Sequence, residues 1–104
     1  MKVRNMTSSN SGREIANQFI ITDDNSMYFQ SYNSIIAKKG ALTIEEARKN
    51  PKIKDWKAYS TYLDEYYWDY SRTTGKYRNQ FLGETKKETE KKIASGEYKL
   101  VNLN

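Results

Sequence analysis

Aromatic rings and cationic side chains interleave more densely between residues 66 and 81 than anywhere else in this sequence. Single-stranded nucleic acid is bound by this mixture, because flat rings stack on bases and cations follow the phosphates. Amide side chains in the same segment are able to read base edges. The segment therefore predicts a site for nucleic acid, or for another partner, with the candidate residues Tyr66, Tyr67, Arg72, Lys76, Arg78 and Asn79.

Helical spacing would place several of these residues on a common face. Arg72, Lys76 and Asn79 are separated by four and three residues, so they share one face of any helix that begins by Arg72. Tyr77 and Phe81 are also four apart and fall on another face, toward the core. A structural interpretation stays open beside the functional one, since a small domain needs its large rings for its core. Exposed cations are also common on any protein surface.

The residue types that most enzymes rely on are missing. The chain has no His and no Cys, which excludes imidazole acid–base catalysis, the Ser-His-Asp triad, thiol catalysis and thiolate zinc sites. The run Thr74-Gly75-Lys76 is similar to the end of a phosphate-binding loop. It fails that motif because Tyr70 stands where a Gly is needed and Tyr77 stands where a Ser or Thr would bind magnesium.

Carboxylates are the remaining candidates for catalysis or metal binding. Asp64, Glu65 and Asp69 lie close together in sequence, and such a group is able to hold a divalent cation or to act as an acid–base pair. Nothing else in the chain completes a carboxylate site, so we interpret them as a cap and solvated charges. We expect no catalytic residue, no metal, no cofactor and no enzymatic activity.

The composition is typical of a small, folded, soluble domain. A chain of 104 residues suits a single domain over 1–104, and an aromatic content of 13% argues against disorder. The net charge of +5 is concentrated in residues 71–104, a balance that permits nucleic-acid binding. The absence of Cys, of an apolar N-terminal region and of any long apolar run predicts a soluble cytoplasmic protein without a membrane span.

The first forty residues predict strands. Phe19 and Ile21 alternate with their neighbours, residues 23–25 have turn chemistry, and residues 27–32 alternate again, which together predict a hairpin. Residues 35–37 continue it or form a third strand. Residues 1–12 are rich in Asn, Ser and Thr, and we expect them to form a loosely held N-terminal arm.

The rest of the chain predicts short helices and a last strand. Two capping boxes, Thr43 with Glu46 and Thr85 with Glu88, begin helices over 41–50 and 85–95. A third helix over 73–82 is capped by Ser71 or Thr73 and ends at Gly83. Residues 59–71 are left open between strand and helix: we favour a helix over 52–58, a strand near 59–63 and a helical turn capped by Asp64. Residues 97–103 predict the final strand.

These elements predict an α+β fold. The hairpin and the C-terminal strand form a small antiparallel sheet, and two or three short helices cover one face of it. The sequence contains no internal repeat and no linker that would divide it.

Several segments taken together resemble a known group of proteins: Asn5–Ser8, Asn17–Ile20, Tyr28–Tyr32 and Trp68–Leu82. The chain is similar over most of its length to a family of small uncharacterised proteins carried by phages and prophages of Gram-positive bacteria. Residues 40–62 depart from the family and look like an insertion. The resemblance implies a phage accessory protein in a bacterial cytoplasm and supplies no site residues.

Two function hypotheses follow. The first is a nucleic-acid-binding accessory protein that uses the basic and aromatic segment. The second is a protein-binding inhibitor or modulator of a host system such as a defence nuclease, in the manner of an anti-CRISPR protein, since Tyr-rich surfaces suit protein interfaces. The partner is nucleic acid or a host protein, with no membrane and no small-molecule cofactor. Exposure of Tyr66, Tyr67 or Trp68 beside Arg72 would favour the first hypothesis. Buried rings with an acidic or apolar patch elsewhere would favour the second.

Overall fold

The computed structural model describes all residues 1–104 as one six-stranded sheet with three helices, which confirms the α+β class. The elements in chain order are β1 Lys2–Thr7, β2 Glu14–Asp23, β3 Ser26–Ser31, β4 Ser34–Gly40, α1 Ile44–Lys49, β5 Ser60–Asp64, α2 Arg72–Leu82, α3 Lys86–Ser95 and β6 Tyr98–Val101. None of the three helices has the length and apolar character that crossing a membrane requires.

The strands lie side by side in the order of the chain, from β1 at one edge to β6 at the other. Neighbours are antiparallel from β1 to β5, and the predicted hairpin is β2–β3. The predicted C-terminal strand is also present, but β6 runs parallel to β5. The reason is the connection: α2 and α3 form a crossover that returns the chain to the end at which β5 began.

Residues 2–7 form an edge strand and not the loosely held arm that we expected. The side chain of Met6 is buried in the core beside Ile20. The amide of Asn5 donates to the carbonyl oxygen of Ile15 at 2.9 Å, and β1 pairs with β2 through a bulge near Asn5. One buried side chain and a ladder of backbone hydrogen bonds order this segment despite its polar composition.

The helix predicted over 52–58 is wrong, because that stretch consists of turns and bends. Ile53 and Trp56 have helical spacing since both pack against a cluster formed by Leu42, Tyr62 and two C-terminal residues. The backbone N–H of Leu42 donates to the carbonyl oxygen of Trp56 at 3.0 Å. The loop is therefore held by its two large side chains, and the strand predicted near 59–63 follows it as β5.

Hydrophobic clusters lie on both faces of the sheet. The larger cluster lies under α2 and includes Phe29, Leu63 and Phe81, with Ile93 of α3 packed against it. Two helices thus cover one face, as predicted. Successive strand residues point to opposite faces, and Lys38 accordingly reaches α1 on the other face.

Lys38 anchors α1 through a buried ion pair. Its Nζ donates to Oε1 of Glu46 at 2.6 Å and to the hydroxyl of Tyr28 at 2.8 Å, and its side chain is buried. Burial raises the pKa of Glu46, but hydrogen bonds from Lys38 and Thr43 outweigh it and lower that pKa below its ordinary value. Burial and the nearby Glu46 carboxylate raise the pKa of Tyr28.

Candidate nucleic-acid interface

Helix α2 carries most of the predicted site residues and forms where the sequence predicts it. Ser71 is the N-cap, and its Oγ accepts the backbone N–H of Thr74 at 3.1 Å. The helix ends at Gly83, whose φ of 71° is the left-handed conformation that glycine adopts without strain. Because the first helical residue is Arg72, the predicted shared face of Arg72, Lys76 and Asn79 exists.

Buried contacts fix the orientation of α2 on the sheet. Phe81 lies in the core against Phe29, with ring centroids 5.9 Å apart. At the other end of the helix, Oγ1 of the buried Thr74 is hydrogen-bonded to Oγ of Ser31 at 3.0 Å. The N-terminus of α2 is thereby tied to the end of β3, and the Arg72 face is turned away from the core.

A basic cleft of about 670 Å³ opens along this face, and no hydrophobic side chain lines it. The basic cleft is formed by Asp69, Ser71, Arg72, Gly75, Lys76, Arg78, Asn79 and Lys86. It brings together four of the six predicted site residues. Lys86, the first residue of α3, was not among them, because its place in the cleft depends on how α3 folds back across Gly83.

Arg78 forms a wall of the basic cleft and is not a surface cation, so our expectation of an exposed side chain was wrong. Only 1% of it is accessible to solvent. Its guanidinium donates to the carbonyl oxygen of Trp68 at 2.7 Å, to Oδ1 of Asp69 at 3.1 Å and to Oδ1 of Asn79 at 3.0 Å. It also lies over the Trp68 ring, 5.2 Å from the centroid. Arg78 therefore holds the turn before α2 against the helix.

Asp69 is the one acidic residue of the basic cleft. Its Oδ2 accepts from Nζ of Lys86 at 2.7 Å, and its Oδ1 accepts from Arg78. Partial burial raises the pKa of Asp69, but the hydrogen bonds from Lys86 and Arg78 outweigh it and lower that pKa. The hydrogen bond with Asp69 raises the pKa of Lys86. Arg72 and Lys76 form no ion pair, so the cleft keeps uncompensated positive charge.

A tyrosine groove of about 520 Å³ lies beside the basic cleft. Its aromatic residues are Tyr32, Tyr67 and Tyr70, and the remaining lining residues are Ser31, Asn33, Ser34, Ile36, Ser71 and Thr73. The ring of the half-buried Tyr67 meets that of Tyr70 edge to face, with centroids 5.8 Å apart. Ser71 lines both cavities, so the tyrosine groove and the basic cleft are adjacent.

The tyrosine groove changes the predicted set of aromatic residues. Tyr66 is 76% exposed but lines neither cavity, whereas the predicted Tyr67 lines the groove. Tyr32 and Tyr70 line it without having been predicted as site residues. Tyr70 lies inside the basic and aromatic segment 66–81, but Tyr32 comes from the β3–β4 turn, which only the folded chain brings near residue 70.

The carboxylates that could have formed a metal site have other roles. Asp64 is buried and caps the turn after β5, as predicted: its Oδ2 accepts the backbone N–H groups of Tyr66 and Tyr67. Its Oδ1 accepts from Leu103 and Asn104 at the C-terminus, both at 2.9 Å. No group of three or more acidic side chains is arranged to hold a metal ion.

Comparison with known proteins gives a family and no function. The chain belongs to a family of unknown function (DUF8033), whose model matches residues 1–96. No curated protein and no solved structure matches it significantly. The matched residues include the whole of the basic cleft and of the tyrosine groove.

Proposed function

We propose that this DUF8033 protein is a small, non-enzymatic accessory protein that binds nucleic acid across the basic cleft. The observation that supports it is the pair Arg72 and Lys76: both are exposed, they lie one helical turn apart, and neither has an acidic partner. Phosphate contacts from such cations supply most of the affinity of nucleic-acid binding.

The electrostatics of the cleft support the same proposal. Asp69 neutralises the buried Arg78 and shares its charge with Lys86, which is half exposed. The cations that face solvent therefore outnumber the carboxylates. Like charges one turn apart repel each other by a few tenths of a kcal/mol, and a phosphate placed between Arg72 and Lys76 would remove that repulsion. The amide of Asn79 adds a neutral polar group for the same ligand.

The biological setting is part of the proposal. The resemblance of residues 5–8, 17–20, 28–32 and 68–82 to phage and prophage proteins of Gram-positive bacteria supports an accessory role during phage infection. Such a protein would act in the cytoplasm of the bacterial host, where both phage and host nucleic acids are accessible to it.

The direct test is fluorescence anisotropy with labelled oligonucleotides at two salt concentrations. The double variant Arg72→Gln/Lys76→Gln removes both free cations, and Lys87→Gln/Lys91→Gln is its matched control, because those exposed lysines are also four apart but lie outside the cleft. We expect the first variant to weaken binding about tenfold and to reduce the salt slope by about two, and the control to change affinity less than about twofold.

Two results would contradict the proposal. The first is the absence of oligonucleotide binding by the unmodified chain even at low salt. The second is an equal loss of affinity in the two double variants, since this would mean that the overall positive charge, and not the basic cleft, attracts the nucleic acid.

A second candidate function, inhibition of a host protein, is favoured by the open edge of the sheet. Strand β1 is hydrogen-bonded to β2 alone, so its other edge presents free backbone groups, and such edges bind partner proteins by strand addition. This candidate predicts inhibition of a purified defence nuclease that is lost in Val3→Pro and unchanged in Arg72→Gln/Lys76→Gln. The nucleic-acid proposal predicts the opposite sensitivity for oligonucleotide binding.

A further inference from the structure

The turn between β3 and β4 contains an aromatic residue in a backbone conformation that disfavours it. Ser31 pairs with Ser34, which leaves Tyr32 and Asn33 as a two-residue turn. Tyr32 has a φ of 54°, in the left-handed region where Cβ crowds the following carbonyl and where Gly is preferred. A tyrosine at this position therefore needs an explanation other than turn formation.

Core packing does not explain it. The side chain of Tyr32 is 51% exposed and belongs to neither hydrophobic cluster. It lines the tyrosine groove, opposite a segment that presents the 64% exposed ring of Tyr70. Strained residues that the fold does not need are found at functional sites, and here the strain places a ring at the groove.

The tyrosine groove has the properties of a base-stacking site. Exposed rings offer π-faces on which any nucleobase stacks, and an edge-to-face contact with Tyr67 holds the ring of Tyr70. Asn33 also lines the groove, is exposed, and its side-chain amide forms no hydrogen bond within the chain. It is therefore free to pair with the edge of a base.

The groove and the basic cleft are close enough to act on one ligand. Tyr70 and Thr73 line the groove, while Asp69 and Arg72 line the cleft, and Ser71 lines both. Consecutive Cα atoms are about 3.8 Å apart, so the two cavities lie on either side of one short segment. A chain whose phosphate contacts Arg72 has its neighbouring base within reach of the groove.

We propose that the nucleic acid bound is single-stranded, with an unpaired base in the tyrosine groove between Tyr32 and Tyr70 and the adjoining phosphates on Arg72 and Lys76. This inference rests on the proposed function and names its ligand class. A base within a duplex is paired and stacked on its neighbours, so it does not enter the groove unless it leaves the duplex.

The test combines a strain-relieving variant with a matched control. Tyr32→Gly removes the ring and introduces the residue that the turn favours. Its control, Tyr59→Ala, removes a 70% exposed ring that lines neither cavity. We expect Tyr32→Gly to weaken binding of a single-stranded oligonucleotide by about tenfold while its Tm is equal to or above that of the unmodified chain. Tyr59→Ala should leave the affinity unchanged.

Two further probes isolate the base. Tyr70→Ala should weaken single-stranded binding by a similar factor, and Tyr32→Phe should retain it, because stacking needs the ring and not the hydroxyl. An oligonucleotide with abasic sites keeps the phosphates but lacks bases. It should bind the unmodified chain and Tyr32→Gly with the same affinity.

The outcomes separate this inference from the proposed function. Equal affinity for duplex and single strand, unchanged single-stranded binding in Tyr32→Gly, or a lowered Tm in that variant would each overturn the inference. In those cases a loss of binding in Arg72→Gln/Lys76→Gln would still support nucleic-acid binding by the cleft. If no oligonucleotide binds the unmodified chain, the proposed function itself fails.

Discussion

Glu46 and Asp69 each bind cationic side chains, on opposite sides of the sheet. We call a network closed when each of its cations has a carboxylate partner, and only the network of Glu46 is closed. On the α1 side, Glu46 accepts hydrogen bonds from Lys38, from the hydroxyl of Tyr28 and from the backbone N–H of Thr43. The lysine is buried, and its charge is matched by that of the carboxylate. Such a network stabilises the fold and leaves nothing for a ligand.

The network on the α2 side uses the same chemistry and remains open. Asp69 accepts from the buried Arg78 and from the half-exposed Lys86, while two further cations of the basic cleft, Arg72 and Lys76, have no carboxylate partner. The comparison teaches that a buried cation with a carboxylate partner is not available to a ligand, whereas exposed cations without such a partner are available.

The largest effect on stability is expected when the closed network loses the negative charge of Glu46. Glu46→Gln keeps the shape of the side chain but leaves the buried Lys38 without a counter-charge. We expect the free energy of unfolding to fall by about 3–5 kcal/mol, enough to unfold a large share of a small domain, as urea titration followed by circular dichroism would measure. Glu45→Gln, the exposed neighbour, is the control and should change stability by less than about 0.5 kcal/mol. Similar values for both variants would contradict the importance of the buried pair.

A substitution of Arg78 tests whether the open network around Asp69 also stabilises the fold. Arg78→Lys keeps the charge but cannot reach Trp68, Asp69 and Asn79 at once, because lysine lacks the planar fork of donors. We expect a loss of about 2 kcal/mol in the free energy of unfolding, measured by urea titration. Arg72→Lys, on the same helix but exposed, should stay within about 0.5 kcal/mol. A stable Arg78→Lys variant with weakened oligonucleotide binding would instead make Arg78 a ligand contact.

Acid should weaken the closed network. The pKa of Glu46 is lowered in the folded state: burial raises it, but the hydrogen bonds from Lys38 and Thr43 outweigh that effect. A carboxyl with a lowered folded pKa contributes stability that is present above its ordinary value of 4.5 and is lost as the pH falls below it. Urea midpoints measured from pH 6 down to pH 3 should therefore decline. In the paired variant Lys38→Met/Glu46→Gln, which leaves no buried charge unmatched, the decline should be shallower, and an unchanged slope would assign it to other carboxyls.

Local interactions account for the parts of the fold that the sequence could predict. The caps at Thr43, Ser71 and Thr85 and the stop at Gly83 act within three or four residues of each helix end, so their chemistry is visible in sequence. Strand β1 was missed because a single apolar residue, Met6, carries its burial, and alternation over so few residues is not a signal.

The candidate site was predictable only where one helix holds it. The spacing of Arg72, Lys76 and Asn79 follows from helical geometry alone. Lys86 and Tyr32 could not be found, because both enter the site through contacts between elements that are distant in sequence. The burial of Arg78 could not be predicted either, since a helical arginine is usually exposed. Arg78 is buried because the turn that precedes α2 lies over its side chain.

The smallest effects are expected from Asp69→Asn, which should lower the stability of the chain and raise its affinity for an oligonucleotide. Asp69→Asn keeps a hydrogen-bond acceptor for Arg78 but removes the one negative charge of the basic cleft and frees Lys86. Stability should fall by only about 1 kcal/mol, because the Asp69 carboxylate is partly exposed and Arg78 keeps its hydrogen bonds to Trp68 and Asn79. Affinity for an oligonucleotide should rise about threefold. Asp55→Asn, an exposed carboxylate outside the cleft, removes the same charge and should do neither. If Asp69→Asn lowered affinity and stability together, the carboxylate would be needed to shape the cleft, and the open network would have to be regarded as a structural one like that of Glu46.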